Sequence, residues 1–121
     1  MLKRAYEAPS PGDGSRILVD RLWPRGLRKD AAAIGSWDKD VAPSADLRRW
    51  FGHDPARWDE FQARYREELR MIPGKLDALA DLARSGPVTL VYGARDEEHN
   101  QAVVLRQVLL QILRERAGKD A

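Results

Sequence analysis

The densest set of side chains able to do chemistry is Arg95-Asp96-Glu97-Glu98-His99-Asn100, directly after the apolar run Val88-Thr89-Leu90-Val91-Tyr92 and Gly93. Arg95 offers a guanidinium fork that matches phosphate or carboxylate geometry. Asp96 and His99 are candidate proton carriers, and Asn100 could orient a ligand. A second set, Asp20-Arg21-Leu22-Trp23-Pro24-Arg25-Gly26, follows the other strongly apolar run, Ile17-Leu18-Val19. Here Asp20 is a candidate acid or base, Arg21 and Arg25 are candidate anion ligands, and Trp23 could stack on a base or sugar. A third candidate is His53 in Phe51-Gly52-His53-Asp54.

Each set also has a plain structural explanation. Asp96 could cap the last helix, with Glu97 and Glu98 complementing its dipole. Arg95 could pair with Asp20. Trp23 could pack on Pro24 while the arginines reach solvent, and His53 could belong to the start of a helix.

Both strong apolar runs end in a polar loop, which is what positions such groups. Arg16–Asp20 and the segment from Val88 read as buried strands, and Leu2–Tyr6 as a short first strand. If the two strong strands are parallel neighbours, their carboxyl ends share one edge, where open α/β sheets bind ligands. Ser44 is a candidate N-cap for a helix through Trp50, stopped by Gly52. Asp54 and Pro55 signal a second helix start. Trp58, Phe61, Tyr65, Leu69 and Ile72 then recur at helical spacing, which makes them core. Pro73 opens a further helix, which runs to Ser85. The last helix is expected from Glu97 or His99, where free backbone N–H groups would face the candidate site. The segment from Leu27 to Ala42 is ambiguous: Arg28–Ala33 could form a helical turn, and Ser36–Val41 could be irregular or a short edge strand. Alternating helices and strands predict an α/β fold: a small, mostly parallel sheet flanked by helices in a single three-layer domain over residues 1–116, with a disordered tail at 117–121.

The chain has 121 residues, enough for one core, and 21 basic against 19 acidic residues that interleave along it. That balance disfavours a nucleic-acid tail, although Arg21 and Arg25 beside Trp23 leave strand binding open. The absence of cysteine removes disulfides, thiolate chemistry and cysteine-type zinc sites. The two histidines lack metal-ligand spacing, and neither a Rossmann nor a P-loop pattern is present, so no metal is expected and no cofactor is indicated. No apolar run has the length of a membrane span and the first residues lack a signal-peptide core, so a cytoplasmic protein is expected.

Val19-Asp20-Arg21-Leu22-Trp23-Pro24-Arg25-Gly26, Trp50-Phe51-Gly52-His53-Asp54-Pro55, Trp58 with Phe61 and Tyr65, and Tyr92-Gly93-Ala94-Arg95-Asp96 through His99-Asn100-Gln101-Ala102 together resemble the YeaO-like family of small bacterial proteins of unknown function, domain-of-unknown-function family 488. The resemblance runs from about Lys3 to Leu113 and implies an α/β fold and a cytoplasmic protein, but no activity. In a wider group of relatives a strand ends in Asp-Val-Arg and a later one leads into a cysteine-rich segment. The equivalent stretches here, Val19-Asp20-Arg21 and Gly93 to Asn100, carry no cysteine, so thiol or metal chemistry does not transfer.

Three functions compete on this sequence. The first is binding of a phosphorylated or nucleotide-like anion by Arg21, Arg25 and Arg95, oriented by Trp23 and Asn100. Asp20, Asp96, His99 or His53 would then serve as proton carriers for hydrolysis or group transfer. The second is nucleic-acid binding. The third is a protein-interaction role for a monomer, or for a homodimer formed through the broadly apolar last helix.

Overall fold

In the computed structural model, which describes residues 1–120, four parallel strands form one sheet. The elements in chain order are β1 (Leu2–Arg4), β2 (Ser15–Leu18), α1 (Lys29–Ala32), β3 (Ser36–Trp37), α2 (Ala45–Phe51), α3 (Trp58–Arg70), α4 (Pro73–Ser85), β4 (Val88–Tyr92) and α5 (Gln101–Asp120). The sheet order is β1-β4-β2-β3. The two strong strands are therefore neighbours, with Leu18 opposite Val91, and their carboxyl ends share an edge. The ambiguous segment resolves into one helical turn, α1, and the short edge strand β3, which pairs with β2 at Ile17↔Ser36.

Alternation along β2 and β4 divides the interior. Ile17, Val19, Leu90 and Tyr92 face the helices, where they meet Phe61, Tyr65, Leu69, Leu79, Val104 and Leu105. Leu18 and Val91 face the other way, onto Trp23, Leu27, Ile34 and Trp37. The layer on this side is a loop that carries the single helical turn α1, and the α/β architecture is as the sequence predicts. The loop folds there because Trp23 donates its indole N–H to the Leu27 carbonyl at 2.8 Å, while the Trp23 and Trp37 rings meet edge-on at 5.5 Å.

The helix boundaries follow local chemistry. Ser44 caps α2, accepting the Leu47 N–H at 3.1 Å, and Gly52 ends it in the left-handed region. Glu68 of α3 fastens this cap, accepting from the Ser44 hydroxyl at 2.6 Å and from its backbone N–H at 2.8 Å. Asp54 and Pro55 start a short 3₁₀ turn, Pro55–Arg57, that leads into α3 at Trp58. α5 begins at Gln101, later than the sequence suggested, because the Asn100 side chain accepts the Val103 N–H at 3.2 Å and sets the cap there. α5 continues to Asp120, through most of the segment expected to be a disordered tail; Ala121 lies outside the described residues.

A buried polar cluster clamps the amino end of the sheet. Asp13 binds Arg16 at 2.6 Å and Lys3 at 2.8 Å, and Arg16 also donates to the Ala32 carbonyl at 2.9 Å. The Thr89 hydroxyl donates to the Asp13 carbonyl at 2.8 Å. Gly14 sits there at φ 64°, and a Cβ on it would meet the Pro87 carbonyl oxygen at 2.1 Å, so only glycine fits. No helix among the described residues is long and apolar enough to cross a membrane.

Candidate functional site

At the carboxyl edge of β2 and β4 lies a cleft of about 550 Å³, within the usual range for small-molecule sites. Asp20 sits where β2 runs out. The Gly93 N–H donates to its Oδ2 at 2.9 Å, and the Gln101 amide donates to its Oδ1. The indole of Trp37 holds the Asp20 carbonyl at 2.7 Å. A Cβ on Gly93 would approach Asp20 Oδ2 to 2.7 Å and Pro24 to 3.3 Å. Glycine at the end of β4 is therefore what lets the two strand ends close on each other. Burial pushes the Asp20 carboxyl up to about 6, against the pull of the Gly93 N–H, the Gln101 amide and the positive charge of Arg48 and His53.

The cleft wall is strongly basic. Arg21, Arg25, Arg48 and Arg95 line it, and Asp20 is its one carboxylate. Arg21 is fixed by donating to the Pro43 carbonyl at 2.9 Å and to that of Ala42 at 3.4 Å. Among the described residues, none of these four arginines forms a salt bridge, with Asp20 or with any other acid. The floor is aromatic: Phe51 and Phe61 stack with centroids 4.3 Å apart, and Trp23 and Tyr6 contribute at the sides. The Tyr6 hydroxyl donates to the Arg25 carbonyl at 2.7 Å, tying the β1 exit to the Arg25 loop.

Eight of the nine residues singled out in the sequence line this cleft: Asp20, Arg21, Trp23, Arg25, His53, Arg95, His99 and Asn100. Asp96 does not line it. Its carboxylate instead holds the loop before α5, accepting the N–H groups of Glu98 at 2.9 Å and His99 at 3.0 Å and facing the His99 Nδ1 at 2.8 Å. The Glu98 N–H, followed by His99, keeps the Asp96 carboxyl below the ordinary carboxylate range. Asp96 thus positions His99, whose ring lies edge-on to Trp58 at 5.2 Å. Asn100 is buried: its amide donates to the Asp96 carbonyl at 2.9 Å and its oxygen caps α5, so its side chain is spent on the fold. Trp23 reaches the cleft but gives its indole N–H to the loop. His53 follows Gly52, and both have positive φ, 56° and 54°. That left-handed pair turns the chain out of α2 and sets His53 at the cleft.

Arg48 and Gln101 were not singled out by sequence reasoning. Arg48 is one exposed position on α2, and no local pattern distinguishes it from Arg49. Gln101 directly follows the polar cluster but reads as the first residue of an amphipathic helix.

A family model described as the inactive DUF488-N3 subclade matches residues 1–121. The chain belongs to that family. Its similarity to the uncharacterized protein Rv3073c of Mycobacterium tuberculosis is 48% identity over 106 residues, covering 88% of this chain and 89% of that protein. The uncharacterized protein YeaO of Escherichia coli is 42% identical over 103 residues, covering 85% and 90%. Membership in the DUF488 group agrees with the resemblance seen in the Asp20–Gly26, Trp50–Pro55 and Tyr92–Ala102 segments. No solved structure matches the chain.

Proposed function

We propose that this protein binds a phosphorylated or nucleotide-like anion in the cleft at the carboxyl edge of its sheet, and binds it without turnover. The observation that carries the reading is the set of four arginines lining one cleft of about 550 Å³ with no acid paired to any of them. Unpaired guanidinium groups gathered around a concavity repel one another, and an anion relieves that repulsion. Arg25, Arg48 and Arg95 are the proposed ligands, with Arg21 fixing the loop and adding to the field. The family's description as an inactive subclade favours binding over hydrolysis or group transfer. On this reading Asp20, His53 and His99 recognise a ligand rather than carry protons in a reaction.

Thermal shift with nucleotides, sugar phosphates and simple anions, on wild type and Arg95→Ala, tests this. Arg95 is exposed and unpaired, so its removal leaves the fold intact. A ligand at a hundred times its Kd stabilises the folded state by about 2.7 kcal/mol. Wild type should shift by several degrees and the variant by much less. Equal shifts in both proteins, or none with any anion, would overturn the proposal.

A further inference from the structure

The cleft holds a carboxylate and four guanidinium groups that do not pair with each other. The acid instead accepts from the backbone N–H of Gly93 on one oxygen and from the amide of Gln101 on the other. Two donors leave part of the capacity of a carboxylate unused, since its two oxygens together accept about four hydrogen bonds. Asp20 is itself part of the cleft lining, which puts this partly used carboxylate beside whatever the arginines hold.

We infer that the ligand is bipolar: a phosphate ester that places its anionic group among Arg25, Arg48 and Arg95 and a hydroxyl donor on Asp20, as a sugar phosphate or the ribose of a nucleotide would. This rests on the anion-binding reading above and names the ligand class for the same cleft. A neutral hydroxyl suits Asp20 better than an ammonium group, because the arginines already give the cleft an excess of positive charge. The carboxylate would accept from it in a charge-assisted bond, stronger than one between neutral partners. The exposed ring of Tyr6 and the half-buried ring of Trp23 suit the apolar face of a sugar ring or a base, and a bare phosphate would fill little of the available volume.

The probes are ribose 5-phosphate and methyl phosphate, which share the phosphate monoester and differ in hydroxyl groups. They would be titrated calorimetrically into the full-length protein at pH 7.5. Wild type should bind ribose 5-phosphate at least about tenfold tighter than methyl phosphate, the effect of one hydrogen bond to a charged group. Asp20→Asn should narrow that preference to threefold or less, to within about 0.65 kcal/mol, while still binding methyl phosphate. Equal affinities in wild type, or a preference that survives in Asp20→Asn, would overturn the inference and leave the anion reading in place. Failure of both probes to bind wild type would overturn both. If the variant does not fold, equal wild-type affinities still overturn the inference, and Gln101→Ala, which frees one Asp20 oxygen of its donor, should then widen the preference for ribose 5-phosphate, an unchanged preference overturning it.

Discussion

Asp20→Asn is the substitution that most directly weighs the competing forces in the cleft. Two effects oppose each other at this carboxyl: burial favours the neutral form, and Arg48, His53 and the Gly93 and Gln101 donors favour the charged one. Burial wins, and the group titrates at about 6 instead of 3.8. A raised folded-state value means that the contribution of Asp20 to stability is complete below 3.8 and declines as pH rises through about 6. At about 1.36 kcal/mol per unit, the decline reaches at most about 3 kcal/mol, less whatever solvent in the open cleft screens. Asparagine keeps the shape and the acceptor for the Gly93 N–H, and Gln101 can rotate its amide to accept from the new NH₂ group. The variant should therefore match wild type near pH 4 and become the more stable protein between pH 4 and 7.5. Urea denaturation followed by tryptophan fluorescence at half-unit steps would measure this. The quantity to follow is the difference between the two proteins, because groups titrating alike in both cancel. A difference that stays flat with pH would refute the argument from burial. A variant that loses ground as pH rises would show that the arginines dominate and hold the carboxylate charged.

Gly93→Ala forces a Cβ against Asp20 and Pro24 and should destabilise the protein by about 1–3 kcal/mol in the same assay, with any ligand response weakened as the strand ends part. Ser44→Ala removes both the α2 cap and the hydroxyl bond to Glu68, and should cost about 1–2 kcal/mol in urea denaturation. Asp13 is held at about 2, first by its hydrogen bond from Lys3. Its depressed value means stability that is present above 3.8 and lost as pH falls toward 2. Asp13→Asn should flatten the acid limb of a pH–stability curve and lower stability at neutral pH. Most of the α5 apolar face is spent inside the molecule, on Ala102, Val104, Leu105 and Leu109, leaving Leu110 at 41% exposure. Sedimentation should therefore give a monomer, and a dimer abolished by Leu110→Glu would show that the last helix has a second partner.

Local chemistry in the sequence determined much of this protein. Apolar runs without helical period marked β2 and β4. Ser44, Gly52, Pro55 and Pro73 set helix boundaries through hydrogen bonding and φ alone, and the spacing of Trp58, Phe61, Tyr65 and Leu69 marked the buried face of α3. Parallel strands carry their loops to a common edge, so the two polar segments after the apolar runs also located the cleft. Tertiary structure decided what each side chain does there. Asp96 reads in sequence as a proton carrier and Asn100 as a ligand-binding group, but their oxygens accept the backbone donors of the turn before α5 and of its first residues. Arg48 and Gln101 look like ordinary surface and helix positions, yet the packing of α2 and the start of α5 carries them to Asp20, tens of residues away in the chain. The clamp of Asp13, Arg16 and Lys3 was equally invisible. A buried charge tolerates its position only where its partners converge, and that convergence is a property of the folded chain, not of any one segment.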